Sequence, residues 1–465
     1  MTRLMIVALL LGAATTARAQ VDGGAPAPAD MGDMAPAAPA DGGVSEEEIA
    51  KALQADVTAQ KKGQPQQATT GTSVPMPQQQ PRTTGSGFGA AMGRFFQSMN
   101  PDISAIVDFA AGWYQDDQGT IKSGDDPQST GFKVQEVELA LQAVVDPYFR
   151  ADIYLTIPNL QGLEVEEAFL TTTHLPGNFQ IKAGIFRADI GRQNAQHLHL
   201  QDFTRRPELN AQFLGVDGLR APGLQVNWLV PRLPFYLILA GSIFSVGPAE
   251  PDQPLQTFGG GARWDFTYLG TARAFVPLND TTSIYAGLNY AHGKTSQSVL
   301  GNTTLPSTAN GLTLYDNYYD NLYGADLYLK WKPVNQARSY ASVAWQSEYF
   351  LRQIPNLLIG GVKHQQLEGG LYSQVVVQLH RRWYLGIRGE IEGIPQGDNV
   401  HREYAGEGSI TWGLSEFSRI RLYGELRYGP RFLPENTVPN PPSRLTGAAF
   451  LQLEAAIGAH GAHPF

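Results

Sequence analysis

From Ser104 onward the chain alternates apolar and polar residues over segments of about ten, and few folds accept that pattern sustained at such length. In Trp383 to Glu392 the odd positions are Trp383, Leu385, Ile387, Gly389 and Ile391, while the even ones are Tyr384, Gly386, Arg388, Glu390 and Glu392. Ile420 to Tyr428 repeats it, with Ile420, Leu422, Leu426 and Tyr428 against Arg421, Tyr423, Glu425 and Arg427. Period two puts successive side chains on opposite faces of a strand, so each segment has one oily and one charged face. Sixteen such segments follow one another, from 104–114 to 446–458.

The connections between them alternate as well. Asp146-Pro147, Leu175 to Gly177, Pro231 to Pro234, Pro277 to Thr282, Pro333 to Ala337, Arg381-Arg382 and Gly413 to Phe417 are short; 188–218, 295–320 and 352–366 are long. Turns on one rim and loops on the other, with an even strand number, describe a transmembrane barrel whose turns are periplasmic. Trp228, Trp331, Trp383 and Trp412 all lie beside short turns, where an aromatic girdle sits. A sandwich would turn the apolar face inward, but its two-layer core has no use for sixteen strands in one meander. The expectation is an all-β fold, a 16-stranded antiparallel barrel over 101–465, set in the outer membrane of a Gram-negative bacterium.

The rest of the composition agrees. There is no Cys, so neither a disulfide framework nor a thiolate metal site exists, and no run of 18 uncharged apolar residues follows the first 20. With 34 Lys+Arg against 43 Asp+Glu, nucleic acid is not an expected partner. Met1 to Ala19 carries Arg3, an apolar run from Leu4 to Ala14 and the Ala17-Arg18-Ala19 cleavage pattern of a signal peptide, 1–19. Residues 20–100, rich in Ala, Pro, Gly and Gln, have too few apolar side chains to offset the entropy of ordering and read as a flexible periplasmic tether. Ser45-Glu46-Glu47-Glu48 is a capping box that would start a short helix within it.

Sixteen strands enclose an aqueous channel. With the polar face inward, the wall carries Asp108, Glu136, Glu138, Asp152, Glu167, Asp326, Glu348, Glu390, Glu392, Glu407, Glu425 and Glu454 against Arg150, Lys182, Arg273, Lys330, Lys332, Arg388, Arg421 and Arg427. Twelve acids to eight bases make a mixed, mildly cation-favouring lining. The loop Ala188 to Gly218 holds Arg192, His197, His199, Asp202, Arg205 and Arg206 interleaved with Leu198, Leu200, Phe203, Phe213 and Leu214. A loop facing only water needs no such anchors, so it is expected to fold into the lumen and narrow it, its charges then setting selectivity. No cofactor is expected beyond a divalent metal on His197, His199 and Asp202, where two imidazoles at spacing two share one side of an extended stretch with a carboxylate nearby.

No Gly-x-Ser-x-Gly elbow occurs, and His292, His364, His380 and His401 have no Ser partner, so no enzyme is expected. A surface-binding barrel is the other reading: 295–320 and 352–366 would capture ligand, with Tyr315, Tyr318, Tyr319, Asp316 and Asp320 as an aromatic and acidic cluster.

The body resembles outer-membrane porins of the phosphate-selective O and P type. His197-Leu198-His199-Leu200-Gln201-Asp202-Phe203, Arg206-Pro207 and Phe213-Leu214-Gly215-Val216-Asp217-Gly218-Leu219, running into Pro222-Gly223-Leu224, look closest to the branch labelled zinc-regulated outer-membrane receptor. The resemblance implies a homotrimer, a constricting third loop, passive transport linked to metal nutrition, and as further partners outer-membrane lipid and the barrel-assembly machinery. The chain departs from the phosphate-selective pattern in having no ladder of lumenal Arg, and it ends in Phe465 without the usual apolar alternation before it.

Overall fold

The structure, a computed structural model, describes residues 102–116, 122, 126–247, 257–259, 264–295, 298–299, 304–305, 318–334, 340–359, 362–395, 402–429 and 443–458. The expected signal peptide, the tether, Tyr315, Asp316, His401 and Phe465 lie outside them.

The strands are β1 (Asp102–Tyr114), β2 (Gly131–Val144), β3 (Phe149–Thr156), β4 (Glu164–Thr172), β5 (Phe179–Arg187), β6 (Arg220–Leu229), β7 (Tyr236–Phe244), β8 (Thr267–Asn279), β9 (Thr282–Thr295), β10 (Ser298–Val299), β11 (Thr304–Leu305), β12 (Tyr318–Trp331), β13 (Ser342–Ile359), β14 (Val362–His380), β15 (Trp383–Glu392), β16 (Glu403–Ser415), β17 (Ser418–Gly429) and β18 (Arg444–Gly458). β10 and β11 pair only with each other, and the other sixteen form one closed antiparallel barrel. Closure joins β1 to β18 with Asp108 opposite Glu454. Each of those sixteen strands then has two partners, and closure leaves the barrel without an open strand edge.

Alternation fixes which face points where. In β15 Ile387 is 67% exposed and the adjacent Arg388 4%, and the pattern repeats through β16 and β17. The oily side chains are outside and the charged ones inside, the inverse of a soluble core. Trp383 and Trp412 face each other across β15 and β16 with rings 5.7 Å apart, and Phe179 stacks on Trp228 at 6.0 Å. Both pairs sit beside short turns, as an aromatic girdle requires. The turns have local causes: Asp146 Oδ1 accepts the N–H groups of Tyr148 and Phe149, each at 2.8 Å, closing the β2–β3 connection. This is the architecture of an outer-membrane barrel, and that membrane is where the protein resides.

Two details differ from the alternation rule. Residues 352–366 are not a long loop, because β13 and β14 continue into them as far as the pair Ile359–Val362. Pro355 reads as a strand breaker, but it falls where Ile354 pairs with Gln366 and Leu357 with His364, a bulge that needs no N–H from proline. Bulges also interrupt β2 and β4. Gln135 and Glu136 are both buried, as are Glu166 and Glu167, and in each case the ladder shifts by one residue there. An extra residue in one strand turns two successive side chains the same way.

Candidate functional site

The connection between β5 and β6 runs inside the barrel. Its two ends are tied together: Ala188 N–H donates to Leu219 O at 2.8 Å, and the Asn194 amide donates to both carbonyls at 2.7 and 3.0 Å while its oxygen accepts Leu219 N–H at 2.8 Å. Gly218 lies at φ 79°, and a Cβ there would sit 2.4 Å from Asn194 Oδ1, so only glycine fits this turn.

From that base the segment crosses the lumen, and wall residues of many strands hold it. Arg273 of β8 donates to the carbonyls of Asp189 and Gly191 at 2.9 and 2.8 Å. Glu348 of β13 accepts the N–H groups of Arg192 and Gln193 at 2.8 and 2.7 Å, and the Arg192 guanidinium lies 4.1 Å over the Tyr328 ring. Farther along, Arg421 of β17 donates to Gln201 O at 3.1 Å, and Arg388 of β15 to Arg205 O at 3.1 Å. The short helix Glu208–Leu214 starts over Glu390, which accepts the N–H groups of Glu208 and Leu209 at 3.3 Å each. An acceptor carboxylate there satisfies two donors that a helix start leaves open.

The apolar anchors find apolar partners. Leu209, Phe213 and Leu214 join Phe186, Phe350 and Tyr372 in a buried cluster, and Phe203 packs with Tyr423 and Phe450 in a second. Each such side chain contributes about 1.5–3 kcal/mol by leaving water. The middle of the barrel is therefore partly filled with hydrophobic side chains, a second apolar set distinct from the lipid-facing one.

Replacing Glu348 with Ala should release the first half of this loop. A hydrogen bond to a charged group is worth about 1.5–3 kcal/mol, so losing one at each of Arg192 and Gln193 should speed exchange of those two amides by about 10-fold or more. Unchanged protection there refutes the anchoring.

All twelve expected lumenal acids are buried, as are Arg273, Arg388, Arg421 and Arg427; Lys182, Lys330 and Lys332 are half-buried and Arg150 is exposed. Their charges are largely spent on one another. Arg427 lies 3.1 Å from Glu208, 3.3 Å from Glu390, 3.2 Å from Glu392 and 3.3 Å from Glu425. Arg205 bonds Asp126 at 2.9 Å and Glu425 at 2.6 Å; burial opposes its cation, and these two carboxylates raise it above its ordinary value all the same. Arg206 is buried beside it. Alternation alone missed Arg352, which pairs with Asp320, and Arg419, which bonds Glu454 at 2.7 Å. Arg419 shares the parity of Arg421 and was findable by following β17 back to its turn.

The expected metal set does not assemble. His197 caps and His199 lies within a turn of 3-10 helix, Leu198–Leu200, rather than an extended stretch, and Asp202 is exposed to a cavity that His199 also borders. The imidazoles instead meet carboxylates of the wall. His197 Nδ1 is 3.1 Å from Glu166 Oε2 and 3.4 Å from Glu138 Oε2, His197 Nε2 is 2.8 Å from Glu167 Oε2, and His199 Nδ1 is 3.1 Å from Glu138 Oε2. Burial by itself would lower the His197 imidazole; Glu166 and Glu138 overcome it and hold the ring well above its ordinary value.

Water reaches this arrangement from the short-turn rim. A cavity of about 430 Å³ is lined by Lys332, Arg381, Arg382, Tyr384 and Glu416 among others. A second, of about 100 Å³, shares Gln378 and Tyr384 with it and extends to His199, Asp202, Lys330 and Arg419.

No family model matches the chain. Among solved structures it is similar to the anion-selective porin from Comamonas acidovorans, at 9% identity and a TM-score of 0.47 over 77% of this chain and 99% of that one. It is also similar to OprB of Pseudomonas putida, at 11% identity and 0.47 over 80% and 97%, and to the outer membrane channel DcaP of Acinetobacter baumannii, at 10% and 0.47 over 77% and 97%. An uncharacterized protein of Aquifex aeolicus (strain VF5) is 33% identical over 404 residues, 78% of this chain and 80% of its own length, and the chain belongs to the same family as that protein.

Proposed function

We propose that this barrel is a passive channel that lets small hydrophilic solutes or ions cross the outer membrane through a lumen narrowed by residues 188–218. The observation that supports it most is the pairing of an oily exterior with an interior cavity that opens at the short-turn rim and ends against that loop. The reading assigns no catalytic step and no bound cofactor to transport itself. Its finer parts, a homotrimer and kinship with phosphate-selective or zinc-regulated porins, rest on the resemblance of 197–224 alone. The competing reading, a surface-binding barrel, has less to stand on, because 352–366 is paired strand rather than open loop.

Preference follows from the charges that border water. Count of the whole wall favours cations, but its acids are buried among arginines. The two cavities are bordered by Lys330, Lys332, Arg381, Arg382 and Arg419 against Asp202 and Glu416, five cations to two anions, with His199 besides. A basic lining of that kind favours anions. In a planar bilayer under a salt gradient, the purified protein is expected to give ohmic steps with a reversal potential on the anion side. Lys330→Glu with Arg382→Glu should move it toward the cation side. Absence of steps rejects the channel; steps with an unmoved reversal potential reject only this assignment of the filter. Arg205 and Arg206 are poorer probes, since reversing Arg205 breaks its two ion pairs before it alters any solute's path.

A further inference from the structure

Three side chains from three elements, Glu138 of β2, Glu166 of β4 and His197 of the loop, each bring a ligand atom within 4.8 Å of the others, and His199 of the loop reaches the same Glu138 oxygen at 3.1 Å. We infer that they form a binding site for one divalent first-row transition-metal ion, which ties the loop to the wall. Neither the channel reading nor the solute enters this inference.

The spacing is that of ligands around a shared ion. Metal–ligand bonds of about 2.0–2.2 Å in tetrahedral array put neighbouring donor atoms about 3.4 Å apart. His197 Nδ1 lies 3.4 Å from Glu138 Oε2 and 3.1 Å from Glu166 Oε2, and His199 Nδ1 lies 3.1 Å from Glu138 Oε2. An ion among Glu138, Glu166 and His197 needs only small movements of these groups, and His199, beside Glu138 Oε2, is placed to add a further donor by a larger one. Imidazole mixed with carboxylate suits zinc, cobalt and their neighbours rather than calcium or magnesium.

A second set of contacts orients the donors, which an incidental ion cluster does not require. His197 presents Nδ1 to the site because its Nε2–H donates to Glu167 Oε2 at 2.8 Å, the carboxylate–histidine arrangement that fixes a ligand ring. Glu167 is itself held, its other oxygen accepting Arg187 N–H at 2.6 Å. The Arg187 side chain holds Oε1 of Glu166, with Nε at 2.9 Å, which leaves Oε2 for the site. Glu138 is 1% exposed, and its Oε1 has no hydrogen-bond partner among the described residues. The bulge in β4 makes this possible, since without the extra residue Glu166 and Glu167 would face opposite sides of the wall.

The site has an access route: His199 borders both the cluster and the cavity that leads to the rim. A ligating nitrogen must be free of its proton to bind an ion, so affinity is expected to fall in acid.

The experiment uses the full-length protein in detergent, stripped with a chelator and titrated with Zn2+ by calorimetry and with Co2+ by visible absorption. One ion per chain is expected, with Co2+ bands of a four- or five-coordinate site. Glu138→Gln and His197→Gln, with folding verified by gel mobility before and after boiling, should each weaken Zn2+ binding by about 100-fold or more. His292→Gln, far from the cluster, should leave it unchanged. Zinc-edge X-ray absorption of the unmodified protein gives a test independent of any variant: imidazole scattering is expected. Absence of a stoichiometric ion, equal affinity in the variants, or a shell of oxygen atoms alone overturns the site.

Discussion

Replacing Arg427 with Met should lower the unfolding free energy by about 3–5 kcal/mol, the usual penalty for removing one partner of a buried ion cluster. The guanidinium lies between Glu208, Glu390, Glu392 and Glu425, and all five groups are buried. Methionine keeps most of the volume, so the loss isolates the charge: four carboxylates remain crowded together, offset only at their margin by Arg205 on Glu425 and Arg388 on Glu390. Denaturant midpoints of the detergent-folded protein measure it. Arg427→Lys should recover only part of the loss, because an ammonium cannot present a planar fork to several carboxylates at once. A change under about 1 kcal/mol for Met would mean that water already screens these acids as it does surface pairs.

Excising residues 192–214 should raise single-channel conductance roughly several-fold, since pore width governs ion flow and the barrel wall does not depend on this segment for its pairing. The geometry makes the deletion practical. Ala188 and Leu219 are hydrogen-bonded at 2.8 Å, so a few Gly and Ser residues bridge the gap. The shortened protein should also shift toward cations, because Glu348, Glu390 and Glu425 lose the loop groups they now bind. Equal conductance in both forms would remove the loop from the solute path.

Much of this was readable from the chain. Alternation in Trp383 to Glu392 gives both the strand and its orientation, because on a two-fold repeat one oily residue fixes the face of all the others. The interleaved Phe203, Phe213 and Leu214 point to a loop that is packed rather than solvated. What alternation cannot reveal is a change in its own phase. Glu166 looks outward when counted from Glu167, and only the ladder shift beside Leu155 turns it in. The partners of His197 were hidden for a second reason: Glu138, Glu166 and Glu167 lie on other strands, and sequence distance says nothing about which wall residues a crossing loop will meet. Asp202 is near the histidines along the chain, but the carboxylates grouped with His197 are those of Glu138 and Glu166. The expected cation preference counts every charge on the wall, whereas the two cavities at the short-turn rim are bordered by five basic residues and two acidic ones.

The seam where β1 meets β18 sets an order on how the protein comes into being. The first strand of the body has one partner made directly after it and the other made last, so its outer edge stays bare until the final segment is synthesised. Pairing over so long a stretch of chain is slow, and a bare edge invites association with other chains meanwhile. A product cut short before Arg444 would leave two open edges rather than one missing stave, and so would be a hazard to the cell rather than a smaller pore.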